Sequence, residues 1–83
     1  MFVVYAIYNH KHDKVYIGQT RDIEDRLDFH QSKIFRGSYT SRFDGEWKLI
    51  YKENAPNRQI ALKRERQLKS FRGREFIRKY IPR

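Results

Sequence analysis

The alternation of apolar and polar residues predicts two paired strands at the start of the chain. Residues 2–8 are rich in β-branched and aromatic side chains and are too few for a typical helix. A polar, turn-prone stretch over 9–14 separates them from a second apolar run over 15–19. We therefore expect an antiparallel hairpin in which Tyr5 shares one face of the first strand with the other odd-numbered residues.

A helix is predicted directly after the second strand and should end near residue 32 or 33. Asp22 is placed to cap its free N–H groups, and Ile23 and Leu27 fall on the side that should be buried. Arg26 and His30 fall on that same side, four residues apart. Either Arg26 extends past the core and His30 is an ordinary packing residue, or both belong to a polar site.

A loop is predicted over 35–45 because glycine, serine, threonine and aspartate are frequent there. Arg36, Tyr39 and Arg42 alternate basic and aromatic character, which suits contact with a phosphate backbone and stacking on a base. Equally, Tyr39 and Phe43 could pin the loop to the core. The sequence leaves both interpretations open.

A third strand, antiparallel to its neighbour, is predicted over 46–52. Strict alternation places Trp47, Leu49 and Tyr51 together on one face of this strand. Residues 53–56 are then expected to be a linker, because a proline stops the strand before the asparagine that would cap the next helix.

The segment 58–70 is predicted to be a strongly basic helix. Ala61 and Leu68 define its buried stripe, and Glu65 lies between them. A carboxylate at such a position is costly unless it is paired or coordinates a cation. Lys69 lies on a neighbouring face and does not by itself explain the position of Glu65.

Gly73 is expected to separate the basic helix from a last short helix over 74–80. Phe76, Ile77 and Tyr80 of that helix can pack back on the domain.

Length and charge narrow the class of protein. The 83 residues suit a single domain, 1–83, and carry a net charge of +9. Residues 57–83 hold ten Lys or Arg and two acidic residues, which gives +8 for that segment. Such concentration indicates a nucleic-acid binder, although an anionic membrane surface and a merely solvated face are alternatives. The expected basic contacts in this segment are Lys63, Arg64, Lys69 and Arg72.

Cysteine is absent, and no apolar run or leader resembling a membrane span or signal peptide is recognised. We therefore expect a soluble, cytoplasmic protein without disulfides or thiolate metal sites. His10, His12 and Asp13 in the first loop could bind a metal, but a solvated loop tip is the favoured interpretation.

Five polar side chains come from elements that are otherwise patterned to face the core: Tyr5, Tyr16, Arg26, His30 and Glu65. Local departures from the packing pattern are where functional sites are expected. Phosphodiester cleavage needs a base to activate water, a cation for the phosphate charge and a carboxylate that holds a divalent metal. These residue types supply that set.

The same positions resemble the GIY-YIG nuclease family over nearly the whole chain. Val3-Val4-Tyr5 is similar to the first signature tripeptide, and Tyr16-Ile17-Gly18 is the second, about ten residues later. The family's continuation and later helix are matched by Gln19-Thr20, Asp22-Ile23, Arg26-Leu27, His30, Ala61, Arg64-Glu65, Leu68-Lys69 and 71–74. The chain looks like small single-domain members related to the N-terminal nuclease module of the bacterial excision-repair incision subunit.

The resemblance implies an α/β (α+β) fold in which a three-stranded antiparallel sheet is flanked by three helices. It implies that Tyr5 and Tyr16 orient or deprotonate the attacking water, with Arg26 on the phosphate and His30 assisting. Glu65 would hold one Mg²⁺ or Mn²⁺, and Gly18 and Gln19 would lie against the nucleic acid. The implied partner is DNA, with RNA not excluded, and no membrane.

Three departures from the family pattern bear on activity. Val3 replaces the first glycine, Gln19 replaces a lysine that some members carry, and 74–83 contains no asparagine like that of several homing-type members. The expected function is a metal-dependent endonuclease in DNA repair or recombination, with a nucleic-acid-binding module that cuts little as the alternative. A targeting protein partner and a monomer or weak dimer complete the expectation.

Overall fold

Three strands and three helices make up the part of the chain that the structure, a computed structural model, describes. That part comprises residues 1–32 and 43–82, with only the backbone described over 28–32. The elements in chain order are β1 (Phe2–Asn9), β2 (Lys14–Thr20), α1 (Ile23–Ser32), β3 (Trp47–Ala55), α2 (Arg58–Lys69) and α3 (Phe71–Arg78). The predicted α/β fold of one three-stranded sheet and three helices is thus confirmed.

The three strands form one antiparallel sheet in the order β2-β1-β3. The central strand β1 is the most apolar of the three and is buried over most of its length. Its register pairs Tyr5 with Gly18 on β2 and with Lys52 on β3. Residues paired in this way carry their side chains on the same face, so Tyr5 and the Gly18 position share one side of the sheet.

Two apolar clusters lie on opposite faces of the sheet, as the alternation along β1 predicted. On one face Tyr5 and Ile7 pack with Trp47 and with residues of α1. On the other face Val4 and Ala6 pack with residues of α2 and α3. Period-2 alternation in β1 therefore divides the helices between the two sides of the sheet.

A β-bulge in β3 overturns the predicted alternation of that strand. Ala6 pairs with Tyr51 and Ile7 with Leu49, so Ile50 is an extra residue in the ladder. One inserted residue reverses which face the following side chains occupy. Trp47 consequently packs in the cluster with α1, whereas Tyr51 packs in the cluster with α2 and α3.

The expected linker over 53–56 is also wrong in most of its length, because β3 continues to Ala55. Ala55 pairs with Phe2 and is buried under the face covered by α2 and α3. The caps on either side of the sheet are confirmed. The Asp22 side chain accepts from Asp25 N–H at 3.1 Å, and the Asn57 side chain accepts from Ile60 N–H at 2.9 Å.

Gly73 does not separate α2 from α3, because α3 already begins at Phe71. Ser70 ends α2 and caps α3, accepting from Gly73 N–H at 3.2 Å. A Cβ on Gly73 would lie 2.1 Å from the Gln67 carbonyl oxygen and 2.4 Å from Leu68 Cα. The glycine is therefore needed for the close approach of the two helices and not to stop one of them.

None of the helices in the described ranges is both long and apolar enough to cross a lipid bilayer.

Candidate active site

Tyr5 is the centre of the candidate site and is almost completely buried, with 1% of its surface exposed. Its ring lies across Gly18, its partner on β2. A Cβ at Gly18 would be 2.8 Å from the Tyr5 hydroxyl oxygen and 3.0 Å from Tyr16 Cε2. Glycine at this position therefore provides the space that lets the Tyr5 hydroxyl extend towards the edge strand β2.

Tyr16 lies beside Tyr5 and is half-buried. The two ring centroids are 6.3 Å apart, and the rings are tilted by 41°. This spacing is within the range of favourable aromatic pairs. Tyr16 thus stands between the buried Tyr5 and the solvent at the open edge of the sheet.

The pKa of Tyr5 depends on its burial and on the groups around it. Burial raises the pKa of Tyr5 well above its ordinary value of 10.0, and the neighbouring Tyr16 raises it further. Arg26 acts in the opposite direction, and Glu65 adds the smallest effect, which again raises this pKa. The pKa of Tyr5 therefore depends on side chains that come from β2, α1 and α2.

Arg26 comes to the site from the first turns of α1. Its backbone N–H donates to Asp22 O at 3.1 Å, so the arginine is fixed just inside the capped end of the helix. Its side chain is half-buried. Neighbouring Leu27 packs in the apolar cluster with Tyr5, which turns this face of α1 towards the sheet.

Glu65 lies on α2 and reaches the site at the edge strand. It is paired with Lys69, whose Nζ is 3.1 Å from Glu65 Oε2. Lys69 lines a cleft together with Tyr16 and Ile17 of β2, and α2 packs against β2. From the sequence, Lys69 was not expected to account for Glu65 by itself, but the structure pairs the two, because residues four apart on a helix are close enough to form an ion pair.

Glu65 is the carboxylate near Tyr5 that could contribute to the binding of a magnesium or manganese ion. No cluster of three or more His, Asp or Glu side chains able to hold an ion occurs within the described residues. Glu65 is a carboxylate with 19% of its side chain exposed. Mg²⁺ commonly binds through one or two carboxylates, water and substrate phosphate, so one such carboxylate is compatible with it.

His30 belongs to α1 as predicted, but its side chain lies outside what the structure describes. Arg36, Tyr39 and Arg42 lie outside the described residues altogether. Their predicted contacts with nucleic acid therefore stay predictions.

The other predicted nucleic-acid contacts are in different environments. Lys63 and Arg72 are exposed. Arg64 donates from Nε to Glu53 Oε1 at 2.9 Å, and its guanidinium carbon lies 5.9 Å from the centre of the Phe76 ring. Arg64 is thus held by a structural ion pair. Gln19 pairs with Val4, and its buried Oε1 has no hydrogen-bond partner among the described residues.

The hairpin tip, which the sequence offered as an alternative metal site, has internal partners for its polar groups. His12 Nε2 lies 2.6 Å from Asp44 Oδ1, and Lys11 pairs with the other oxygen of Asp44. Asp13 accepts a hydrogen bond from the Tyr8 hydroxyl at 2.8 Å. These pairings favour the interpretation of a solvated, ion-paired tip.

Arg74 and Arg78 were not singled out from the sequence, although they line the same cleft as Tyr16 and Lys69. Their four-residue spacing on α3 was the available signal, because it puts both on one face of a helix. What the sequence could not show was that this face borders β2.

Comparison with known proteins finds a family model and a solved structure to which this chain is similar. Residues 1–80 match the family model described as the GIY-YIG catalytic domain. The solution structure of a UPF0213 protein from Bacillus halodurans is similar, with 26% sequence identity and a TM-score of 0.53. The similarity covers 93% of this chain and 82% of the other. No curated protein sequence matches.

Proposed function

The chain belongs to the GIY-YIG catalytic-domain family, and from this premise we propose that it is a metal-dependent endonuclease that hydrolyses phosphodiester bonds in DNA. The family implies a nuclease-type function. The metal dependence, the DNA substrate and a role in DNA repair or recombination are parts of the proposal.

One observation carries the proposal: polar groups from three separate elements act on the buried hydroxyl of Tyr5. Tyr16, Arg26 and Glu65 all influence its pKa, although they are distant from one another in sequence. A protein gains little stability by gathering such groups around a buried phenol. Gathering a cation, a carboxylate and two hydroxyls is what the stabilisation of a phosphate transition state requires.

The raised pKa of Tyr5 limits its chemical role. Because burial and Tyr16 favour the neutral phenol, Tyr5 holds its proton at neutral pH and acts as a hydrogen-bond donor. It would then orient the attacking water or a non-bridging phosphate oxygen. Tyr16, which is the more exposed of the two, is in the better position to meet the water itself.

Arg26 would contact the scissile phosphate and stabilise the charge that accumulates on its oxygens. A guanidinium suits this role because it stays charged and presents several donors in a fixed plane. In the hydrolysis the water oxygen forms a bond to phosphorus, and the bond to one ester oxygen breaks. The leaving oxygen takes up a proton, and the water loses one.

Glu65 would hold the divalent ion next to that phosphate. The ion, when bound, supplies positive charge for the leaving oxygen. Lys69 pairs with Glu65, so ion binding would compete with this pair or shift Lys69 towards the phosphate. Tyr5 would be affected in turn, because a cation beside Glu65 would offset the carboxylate charge that is one of the effects raising the pKa of Tyr5.

A nicking assay on supercoiled plasmid tests the proposal. The native protein should nick with Mg²⁺ or Mn²⁺ and stop when EDTA is added. Glu65→Gln and Arg26→Gln should each lower the rate by about 100-fold or more, which is the usual cost of removing one transition-state contact.

Two matched substitutions serve as controls for the loss of a charge. Glu75→Gln and Arg66→Gln remove the same types of charge from exposed helix positions and should leave nicking unchanged. If the native protein binds plasmid but does not nick it with either metal, the function is that of a binding module. If Glu65→Gln nicks as fast as Glu75→Gln, the proposed site is wrong.

A further inference from the structure

A cleft opens beside the candidate active site, between the edge strand β2 and helix α3. Its volume is about 560 Å³, and we call it the β2–α3 cleft. Its walls carry the positive charges of Lys69, Arg74 and Arg78, and half-buried Val15 contributes apolar surface to it. Tyr16 also lines it, so the cleft and the candidate active site share a boundary.

The two arginines of this cleft are available for an anionic ligand. Arg74 and Arg78 are exposed and lie one helical turn apart on α3. Among the side chains that the structure describes, no carboxylate lies within ion-pair distance of either arginine. By contrast, Arg64 is neutralised by Glu53 at 2.9 Å, and Lys69 is shared with Glu65.

The acidic residue of the cleft does not cancel this charge. Asp13 also lines the cleft and accepts a hydrogen bond from the Tyr8 hydroxyl at 2.8 Å. Against this one carboxylate, the cleft is lined by four basic residues, Lys14, Lys69, Arg74 and Arg78. The lining therefore stays cationic, and a ligand that carries repeated negative charges fits it best.

The size and composition of the cleft indicate which form of nucleic acid it takes. Its volume is in the range of about 300–1,000 Å³ that is usual for pockets holding small ligands, so it can admit a short piece of one strand but not a double helix. An aromatic ring such as that of Tyr16 next to cationic side chains is the combination that binds unpaired nucleotides, since a base can stack on a ring only when it is unpaired.

We propose that the β2–α3 cleft binds a single, unpaired DNA strand that continues from the scissile phosphate, with Arg74 and Arg78 in contact with its backbone. The proposal rests on the proposed nuclease function only in placing the strand next to a scissile phosphate. The binding of the strand itself does not depend on cleavage. Each arginine lies at a helical position from which successive phosphates of one strand can be reached.

A binding experiment in EDTA tests the cleft without cleavage. Fluorescence anisotropy would compare a short oligo(dT) with a short blunt duplex as probes, each over a series of salt concentrations. The test variant is Arg74→Gln/Arg78→Gln. The control is Lys48→Gln/Lys52→Gln, which removes two charges from exposed positions on β3, at the opposite edge of the sheet.

The test variant should bind oligo(dT) roughly tenfold more weakly than the native protein. The slope of the logarithm of its binding constant against the logarithm of the salt concentration should become shallower by about 1.4, which is about 0.7 for each phosphate that an arginine no longer neutralises. Its affinity for the blunt duplex should change much less. Any loss of affinity in the control variant, relative to the native protein, should be the same for the two probes. Circular dichroism would verify that both variants are folded.

Two results would overturn the proposal. Equal losses for oligo(dT) and duplex in the Arg74→Gln/Arg78→Gln variant would mean that the arginines supply only general positive charge. An unchanged affinity for oligo(dT) would mean that the strand does not enter the cleft. A native protein that binds oligo(dT) through these arginines but never nicks plasmid would refute the nuclease proposal and leave the cleft intact.

Discussion

The candidate site around Tyr5 and the tip of the β1–β2 hairpin are both rich in polar side chains, yet they are built in opposite ways. At the tip, Asp44 is exposed and pairs with Lys11 and His12, and Asn9 Nδ2 donates to Asp44 O at 3.0 Å. At the site, Tyr5 is buried, and groups from three elements affect its pKa, one of which, Glu65, is paired with Lys69.

The two regions also differ in the direction in which the protein shifts a pKa. At the tip, hydrogen bonds from Lys11 and His12 hold the pKa of the Asp44 carboxyl well below its usual range, so the charged form is favoured. At the site, burial raises the pKa of Tyr5, so the neutral form is favoured. The exposed tip thus favours the charged form of its acidic group, whereas burial at the site favours the neutral form of the phenol.

The largest effects on stability and nicking are expected from the substitution of two glycines, one in each region. In Gly18→Ala the new Cβ meets the Tyr5 hydroxyl at 2.8 Å and displaces it, which should lower stability by about 1–3 kcal/mol and also reduce nicking. In Gly45→Ala the strain comes from the backbone, at φ 97°, and should cost about 1–2 kcal/mol.

Urea unfolding and plasmid nicking would be measured for both glycine variants. Gly45→Ala should nick at the native rate under conditions where it is folded. The comparison fails if Gly18→Ala nicks as well as Gly45→Ala, because the space over Gly18 would then not matter for the chemistry.

A smaller effect is expected in the pH dependence of stability. Because the pKa of Tyr5 is raised in the folded protein, Tyr5 contributes stability that is fully present below about pH 10 and is lost as the pH rises further. The native protein should therefore lose about 1 kcal/mol more than Tyr5→Phe between about pH 10 and pH 11, measured by urea unfolding.

The control for this titration is Tyr80→Phe, which removes a hydroxyl from a side chain that is 45% exposed. Its difference from the native protein measures what the removal of an exposed hydroxyl does by itself. If Tyr5→Phe and the native protein lose stability in parallel, the Tyr5 hydroxyl is not held neutral by the fold.

The smallest effect should follow from Asp44→Asn. The lowered pKa of Asp44 means that its pairs stabilise the protein above the ordinary carboxyl pKa of 3.8 and stop doing so as the pH falls further. Since the group is exposed, salt screens its pairs, and we expect no resolvable change in melting temperature at neutral pH and moderate salt. Nicking should be unchanged.

The effect of Zn²⁺ on the melting temperature is a further test of the difference between the two regions. Zn²⁺ should leave the melting temperature of the native protein unchanged, because His12 and Asp44 are paired with each other at 2.6 Å. An increase in melting temperature with Zn²⁺ that disappears in Asp44→Asn would show that the tip is a metal site and would remove the contrast between the regions.

Several features of the fold follow from short stretches of sequence. The hairpin, the caps at Asp22 and Asn57 and the buried stripe of Ala61 and Leu68 were all predicted and are present. Each depends on residues that are close together in the sequence. Local propensity and periodicity are sufficient to determine such features.

Two of the predictions that were wrong, the strict alternation of β3 and the helix break at Gly73, share one cause. Alternation alone could not reveal the bulge at Ile50, because the extra residue is set by pairing with β1. Gly73 was predicted to be a break between helices, whereas it is required by the close approach of α3 to the end of α2. Both features depend on a second element whose position the sequence does not state.

The sequence by itself thus determined the elements, the identity of the candidate side chains and the excess of positive charge near the carboxyl end. Only the tertiary structure decided that Tyr16, Arg26 and Glu65 all lie near Tyr5, that Lys69 pairs with Glu65, and that Arg74 and Arg78 border β2. The physical reason is range. Propensity and capping act between neighbours in the chain, whereas burial, ion pairing and electrostatic coupling act between neighbours in space.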